Sequence, residues 1–236
     1  MKILGIIPAR GGSKGVLGKN IKLLGGEPLI THTIKAALKS NLTKVIVSTD
    51  DDDIEKVAME AGAEVPFKRP ADLASDTAKS IDVAKQALLE MEKIDGIVYD
   101  AIMLLQPTAP FRSVYDINKS IELLESDKDA DSVISVVDVE GHHPARMKYI
   151  ENGVLIDPPF KEAYENQNRQ ELTPMFIRNG AIYLTKRESI LADSYKGRKS
   201  LALIMPLENS INIDTIRDFE NAEWVYNKYF SESITS

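Results

Sequence analysis

The chain has no cysteine in its 236 residues. That removes disulfides, thiolate zinc sites and a thiol nucleophile, and it leaves the fold independent of an oxidising compartment. Histidine is scarce, three in all. His32 falls inside a helical pattern and reads as structural, while His142 and His143 are adjacent, share no face and make a poor metal pair. No apolar run approaches the roughly 18 residues a membrane span needs, and the N-terminus lacks the charged-then-apolar pattern of a signal peptide. These absences predict a cytoplasmic chain that does not engage a membrane. Positive charge is not in excess either. The formal net charge is −7, so there is no general basic footprint for nucleic acid, and any anion site must be local. A G-x-S-x-G motif is missing, which disfavours serine-triad hydrolysis.

What is present is an ordinary globular composition, 43% apolar and 28% charged, long enough for one α/β domain with an elaboration. The most informative stretch comes first. Ile3 to Ile7 is a short apolar run that predicts a buried parallel strand. Pro8 ends it, and a loop follows in which Gly11, Gly12, Gly15 and Gly18 alternate with Arg10, Ser13, Lys14 and Lys19. Glycines let backbone N–H groups turn towards an anion, and the cations add charge, so the loop suits polyphosphate. It is not a P-loop, because Ser13 stands where that motif's first glycine belongs and Asn20 follows Lys19 in place of Ser or Thr. Nor does it contain G-x-G-x-x-G, which argues against a dinucleotide fold.

Alternating patterns follow. A helix is predicted over Pro28–Leu38, a strand over Val45–Ser48, and a helix over Ile54–Ala61 ending at Gly62. Asp50-Asp51-Asp52-Asp53 before that helix reads as capping and dipole compensation in preference to a metal site. A brief strand is expected at Ala63–Phe67, a helix at Ala78–Lys93, a strand at Tyr99–Leu105, a helix at Val114–Leu124 and a strand at Ser132–Val137. This βα alternation implies a mostly parallel, doubly wound sheet with helices on both faces. The rhythm breaks after Asp138. Residues 139–175 are irregular, with a hairpin of Met147–Ile150 and Val154–Ile156 around Glu151-Asn152-Gly153. Strands return at Ala181–Thr185 and Ser200–Met205, then a helix at Thr215–Tyr229, with the last few residues expected to fray.

In a parallel sheet the polar loops after successive strands meet at one edge. They would bring together Arg10, Ser13, Lys19 and Asn20 from the first loop; Arg69, Asp72, Asp76 and Ser80; Gln106 and Thr108; and finally Asp214. Cations, amides and carboxylate in one crevice suit a nucleoside triphosphate with Mg²⁺. Arg146 and Arg169, in the irregular segment, are suited to gripping a carboxylate in a bidentate fork.

Seven blocks in order carry a family resemblance. They are Ile7-Pro8-Ala9-Arg10-Gly11-Gly12-Ser13-Lys14-Gly15 with Gly18-Lys19-Asn20; Val47-Ser48-Thr49-Asp50; Arg69 through Thr77; Leu104 through Arg112; His142-His143-Pro144; Asn179-Gly180-Ala181-Ile182-Tyr183; and Ile211-Asn212-Ile213-Asp214-Thr215. Over about residues 3 to 220 the chain resembles the N-acylneuraminate cytidylyltransferases, or CMP-sialic acid synthetases, including the CMP-legionaminate and CMP-pseudaminate enzymes. The resemblance implies a single Rossmann-like nucleotidyltransferase domain over 1–236, with 139–175 as a dimerisation flap reaching the partner's active site. It implies transfer of CMP from CTP to the anomeric hydroxyl of a nine-carbon 2-keto sugar acid, with N-acetylneuraminate, legionaminate and pseudaminate as candidates. Arg10, Ser13 and Lys19 would hold the triphosphate, with Arg10 and Lys19 stabilising charge as pyrophosphate leaves. Asn20, Arg69 and Ser80 would read cytosine; Gln106, Tyr183, Arg146 and Arg169 would bear on the sugar acid; Asp214 would hold Mg²⁺. Two departures stand out: Asn212, whose amide cannot act as a base, stands where relatives have aspartate, and Arg146 stands where some have lysine. Asn212 keeps open a non-catalytic nucleotide-binding protein on the same fold.

Overall fold

A computed structural model describes residues 1–231; the fraying expected of the last few residues falls outside them. The elements run β1 (Ile3–Pro8), a small β2–β3 ladder (Leu23–Leu24 and Glu27–Pro28), α1 (Leu29–Leu38), β4 (Lys44–Ser48), α2 (Asp52–Glu60), α3 (Ser80–Asp95), β5 (Ala101–Leu104), α4 (Val114–Ser126) and β6 (Ser132–Asp138). Then come β7 (Tyr149–Glu151), β8 (Val154–Ile156), β9 (Phe176–Lys186), α5 (Arg187–Leu191), β10 (Ser200–Ile204) and α6 (Ile216–Tyr229).

The central sheet has the order β10-β6-β9-β5-β1-β4. β1 pairs in parallel with β4 and β5, and β10 with β6. Side chains of β1 alternate between two cores, as a strand buried on both faces requires. Ile3 and Ile7 pack with Ile30 and Ile34 of α1, Ile54 of α2 and Ile117 of α4, while Leu4 and Ile6 pack with Ala84, Leu88 and Met91 of α3. The doubly wound reading therefore holds, and the aspartate run behaves as capping. Asp51 accepts from the N–H groups of Asp53 and Ile54, both at 3.0 Å, and Asp52, Asp53 and Glu55 fill the first turn of α2. His32 is likewise structural, its Nε2 set 2.9 Å from the Leu24 carbonyl.

Two expectations need correcting. The strand at Ala63–Phe67 is absent; isolated bridges join Ile46 to Glu64 and Thr49 to Lys68. Pro66 lies between them without an N–H to donate, so no ladder can run through. The strand expected at Ala181–Thr185 is the second half of the 11-residue β9, which lies antiparallel to both β5 and β6. Its register breaks where Ser135 turns inward and bonds Asn179 Oδ1 at 2.6 Å and the Ile182 N–H at 2.8 Å.

The hairpin between β6 and β9 forms as expected, with its first strand shifted to Tyr149–Glu151. Its turn is Asn152-Gly153, both left-handed at φ 51° and 83°, the pair that a twisted two-residue connection selects. Every residue of β7 and β8 is exposed. Among the described residues no helix is long and apolar enough to cross a membrane.

Candidate active site

The loops at the carboxyl ends of β1 and β5, the loop before α3 and the segment at Asp214 enclose a cleft of about 450 Å³. The first loop is pinned at both ends. Val16 is buried with Leu24, Ile213 and Phe219, while its neighbour Leu17 is 91% exposed. Gly15 passes so close to the chain at Asp214 that a Cβ there would stand 2.0 Å from the Asp214 carbonyl oxygen. No side chain is compatible with that approach. Asn20, 6% exposed, donates through Nδ2 to the Arg10 carbonyl at 3.1 Å and so closes the loop on itself. Gly11 donates its N–H to Asp50 Oδ1 at 3.1 Å, fixing the loop to the end of β4.

The cations enter from different sides. Lys19 donates to the Ile213 carbonyl at 2.7 Å and lies 3.8 Å from Asp214 Oδ1. Burial lowers its pKa from the ordinary lysine value, and the Asp214 charge opposes that shift. Arg69 is 6% exposed, its Nε on Ser48 Oγ at 3.0 Å and its Nη2 on the Ser48 carbonyl. Burial pushes its pKa down to about 10, against the pull of Asp50, so it remains cationic at neutral pH. Arg10 reaches across to the loop before α3, donating to the Ser75 carbonyl at 3.0 Å and pairing with Asp76 at 3.0 Å. Ser80 opens α3 beside them.

The far wall is held by a residue that the sequence did not mark as functional. Arg112, 3% exposed, donates to the Ala181 carbonyl at 2.8 Å, to Thr33 Oγ1 at 2.7 Å and to the Gln106 carbonyl. Complete burial pushes its pKa down, and the three acceptors compensate its lost hydration. It thereby ties the loop carrying Gln106 to β9. Thr108, next on that loop, accepts the Ile213 N–H at 2.8 Å and draws Asp214 to the cleft edge. Asn212 donates to Asp214 Oδ2 at 2.8 Å.

The cleft thus gathers Arg10, Ser13, Lys19, Asn20, Arg69, Ser80, Gln106 and Asp214, with Thr108 and Asp76 beside them. Asp72 sits exposed on the short 3-10 turn Ala71–Ala74 and does not line it. Tyr183 packs into the α3-side core, its ring 5.5 Å from that of Tyr195. Arg146 and Arg169 lie in the excursion, on separate cavities. Arg146 pairs with Glu162 at 3.2 Å and donates to the Gln167 carbonyl at 2.7 Å; Arg169 is 3.5 Å from Asp138. Lys14, expected among the cations of the first loop, lines the cleft as well. Among the described residues no three acidic or histidine side chains form a metal cluster. His143 instead accepts the Ala145 N–H at Nδ1 and meets the Thr173 carbonyl at Nε2.

A mainly parallel α/β sheet with a cation-lined cleft at its carboxyl edge defines a nucleotide-handling protein. The chain belongs to the cytidylyltransferase family, whose profile matches residues 4–233. It is 37% identical over 230 residues to the CMP-N,N'-diacetyllegionaminic acid synthase of Legionella pneumophila, covering 94% of this chain and 95% of that one. An N-acylneuraminate cytidylyltransferase of Streptococcus agalactiae is 35% identical over 223 residues, 93% of this chain but 52% of the relative, so the chain spans about half of that protein. In fold it matches a CMP:2-keto-3-deoxy-manno-octonic acid synthetase solved with CTP, at TM-score 0.71 and 17% identity, over 97% of this chain and 99% of that one.

Proposed function

We propose that this chain transfers CMP from CTP to the anomeric hydroxyl of a sialic-type, nine-carbon 2-keto sugar acid, legionaminate and pseudaminate included. The hydroxyl oxygen attacks the α-phosphorus, the bond from that phosphorus to the bridging oxygen breaks, and pyrophosphate leaves while the hydroxyl proton passes to solvent or a nearby base. The observation that carries the reading is the gathering of the first-loop cations, the buried Arg69 and Asp214 on one cleft. Arg10 and Lys19 are placed to take up charge as pyrophosphate departs, and such preset cations act with little reorganisation. Arg69, with Asn20 and Ser80, would face the base, where a fixed hydrogen-bonding edge gives preference for one nucleotide. Gln106 would meet the sugar.

Mg²⁺ belongs to the same reading. Asp214 offers one exposed carboxylate with an amide beside it. That donor set fits an ion that keeps several waters and takes phosphate oxygens as ligands. Bound there, Mg²⁺ would neutralise phosphate charge, while Arg10, Lys19 and Arg69 bind and orient the nucleotide.

The flap supports a homodimer. Ile150, Val154, Leu155 and Phe160 are each more than half exposed, a density of apolar surface that points to a partner. A second copy would cover it and bring Arg146 and Arg169 to a neighbouring cleft, where guanidinium would meet the sugar carboxylate. A cytoplasmic location, where CTP is available, completes the reading.

The test is pyrophosphate release from CTP and Mg²⁺ with a panel of N-acetylneuraminate, legionaminate and pseudaminate. Release with one or more of them is expected. CTP binding with no release on any would favour a non-catalytic nucleotide-binding protein instead.

A further inference from the structure

The mouth of the cleft holds an acid where an anion has to enter. Asp76 Oδ1 pairs with Arg10 Nη1 at 3.0 Å, and Oδ2 pairs with Lys14 Nζ at 2.5 Å. Arg10 spends a second contact on the same turn, donating to the Ser75 carbonyl at 3.0 Å. The turn itself is braced, with Ser75 Oγ on the Asp72 carbonyl at 2.9 Å and the Ala78 N–H on the Ser75 carbonyl. One carboxylate therefore joins the glycine-rich loop after β1 to the loop before α3, across the opening. Its two oxygens sit on two cations much as two oxygens of one phosphate would. Among the described residues no other carboxylate pairs with Arg10 or Lys14. Lys14, followed by Arg10, also holds the Asp76 carboxyl below the usual range, so it is charged at neutral pH.

We propose that Asp76 is a positioning residue that stands in for a phosphate until nucleotide binds, keeping Arg10 and Lys14 aimed, and yields both cations to the triphosphate. This rests on the phosphate-binding reading of the cleft. An internal counter-ion has a definite signature. It sets the geometry of the cations and competes with the ligand for them, so neutralising it tightens phosphate binding. A carboxylate that stayed paired in the complex would do the opposite, because its loss would free the loops and weaken binding.

Calorimetric titration with inorganic pyrophosphate separates the two, using the wild-type protein, Asp76→Asn and Asp76→Ala. The amide keeps the shape without the charge; the alanine variant controls for new hydrogen bonds made by the amide. Both are expected to bind pyrophosphate about 3- to 10-fold more tightly than wild type, the scale of two exposed ion pairs. KM for CTP should fall by a similar factor while kcat does not rise. Unchanged or weaker pyrophosphate binding in both variants overturns the inference and leaves Asp76 as a loop staple. No pyrophosphate binding by the wild type would overturn the phosphate reading of the cleft itself, a result distinct from the first.

Discussion

Arg69 and Arg146 are both arginines assigned to substrate, and the molecule holds them in opposite ways. Arg69 is buried at the end of β4, with its guanidinium gripped by Ser48 of the central sheet. Arg146 is held by Glu162 and Gln167, partners from its own excursion. The first is fixed by the parallel sheet, so its position follows from the fold of one chain. The second is set by the flap, and the flap's own strands are wholly exposed. A sheet edge can therefore set a nucleotide site alone. A site that needs the flap needs something for the flap to lie on.

The largest effects should fall on the sheet side. Arg10→Ala and Asp214→Ala are each expected to lower kcat at least ~100-fold, as loss of a direct charge contact to the reacting phosphates does. Both side chains are at least a third exposed, so melting temperatures should change little. Steady-state rates with a thermal melt on the same samples check this, and near-normal turnover in either variant would remove that residue from the chemistry. Arg112→Met comes next, with an expected stability loss of about 2–3 kcal/mol in urea unfolding, since it strands two buried acceptors and a partly buried third. It should also raise KM for the sugar acid by freeing the Gln106 loop. A loss under about 0.5 kcal/mol would mean water replaces the guanidinium.

On the flap side, Leu155→Lys places a charge on the exposed hairpin. With a second copy on the flap as proposed, it should shift the sedimentation profile from dimer towards monomer and cut turnover about 10-fold at low protein concentration, with CTP affinity within about twofold of wild type. If CTP binding fell as far as turnover, the flap and the nucleotide site would not be separable in the way the two arginines suggest.

The same division explains what could be read from the sequence. β1, β4, β5 and β6 announce themselves because a strand buried on both faces is a plain apolar run, and the polar residues just after each run had to meet at one edge. That is why Arg10, Ser13, Lys19, Asn20 and Gln106 could be grouped from sequence, while Arg69, Ser80 and Asp214, which follow none of these four strands, reach the same cleft through the loop before α3 and the segment before α6. The first half of β9 was hidden because Asn179 and Gly180 interrupt its pattern, and its pairing depends on partners far along the chain. The role of Arg112 was hidden for a similar reason. Its acceptors at Thr33 and Ala181 are 79 and 69 residues away. Local sequence carries no trace of either. Tyr183, which the resemblance sets with the sugar, is partly buried beside Tyr195 against the α3-side core.

The smallest expected effect tests the rigidity of the sheet side directly. Glu92 of α3 accepts Arg187 Nε at 2.8 Å and Nη2 at 3.0 Å, and the Tyr99 N–H at 3.1 Å, tying α3 to α5 and to the entry of β5. Those Arg187 bonds hold the Glu92 carboxyl below its ordinary 4.5. Because the folded pKa is the lower one, the charged form favours folding. The contribution is complete above the unfolded value and is lost as pH falls through the folded value. Glu92→Gln should therefore lower urea stability by about 1 kcal/mol at pH 7, and the gap to wild type should close as pH drops below 4.5. A gap that persists unchanged at about pH 3, below the ordinary glutamate range, would mean that the helix is held by packing, with the ion pair contributing nothing.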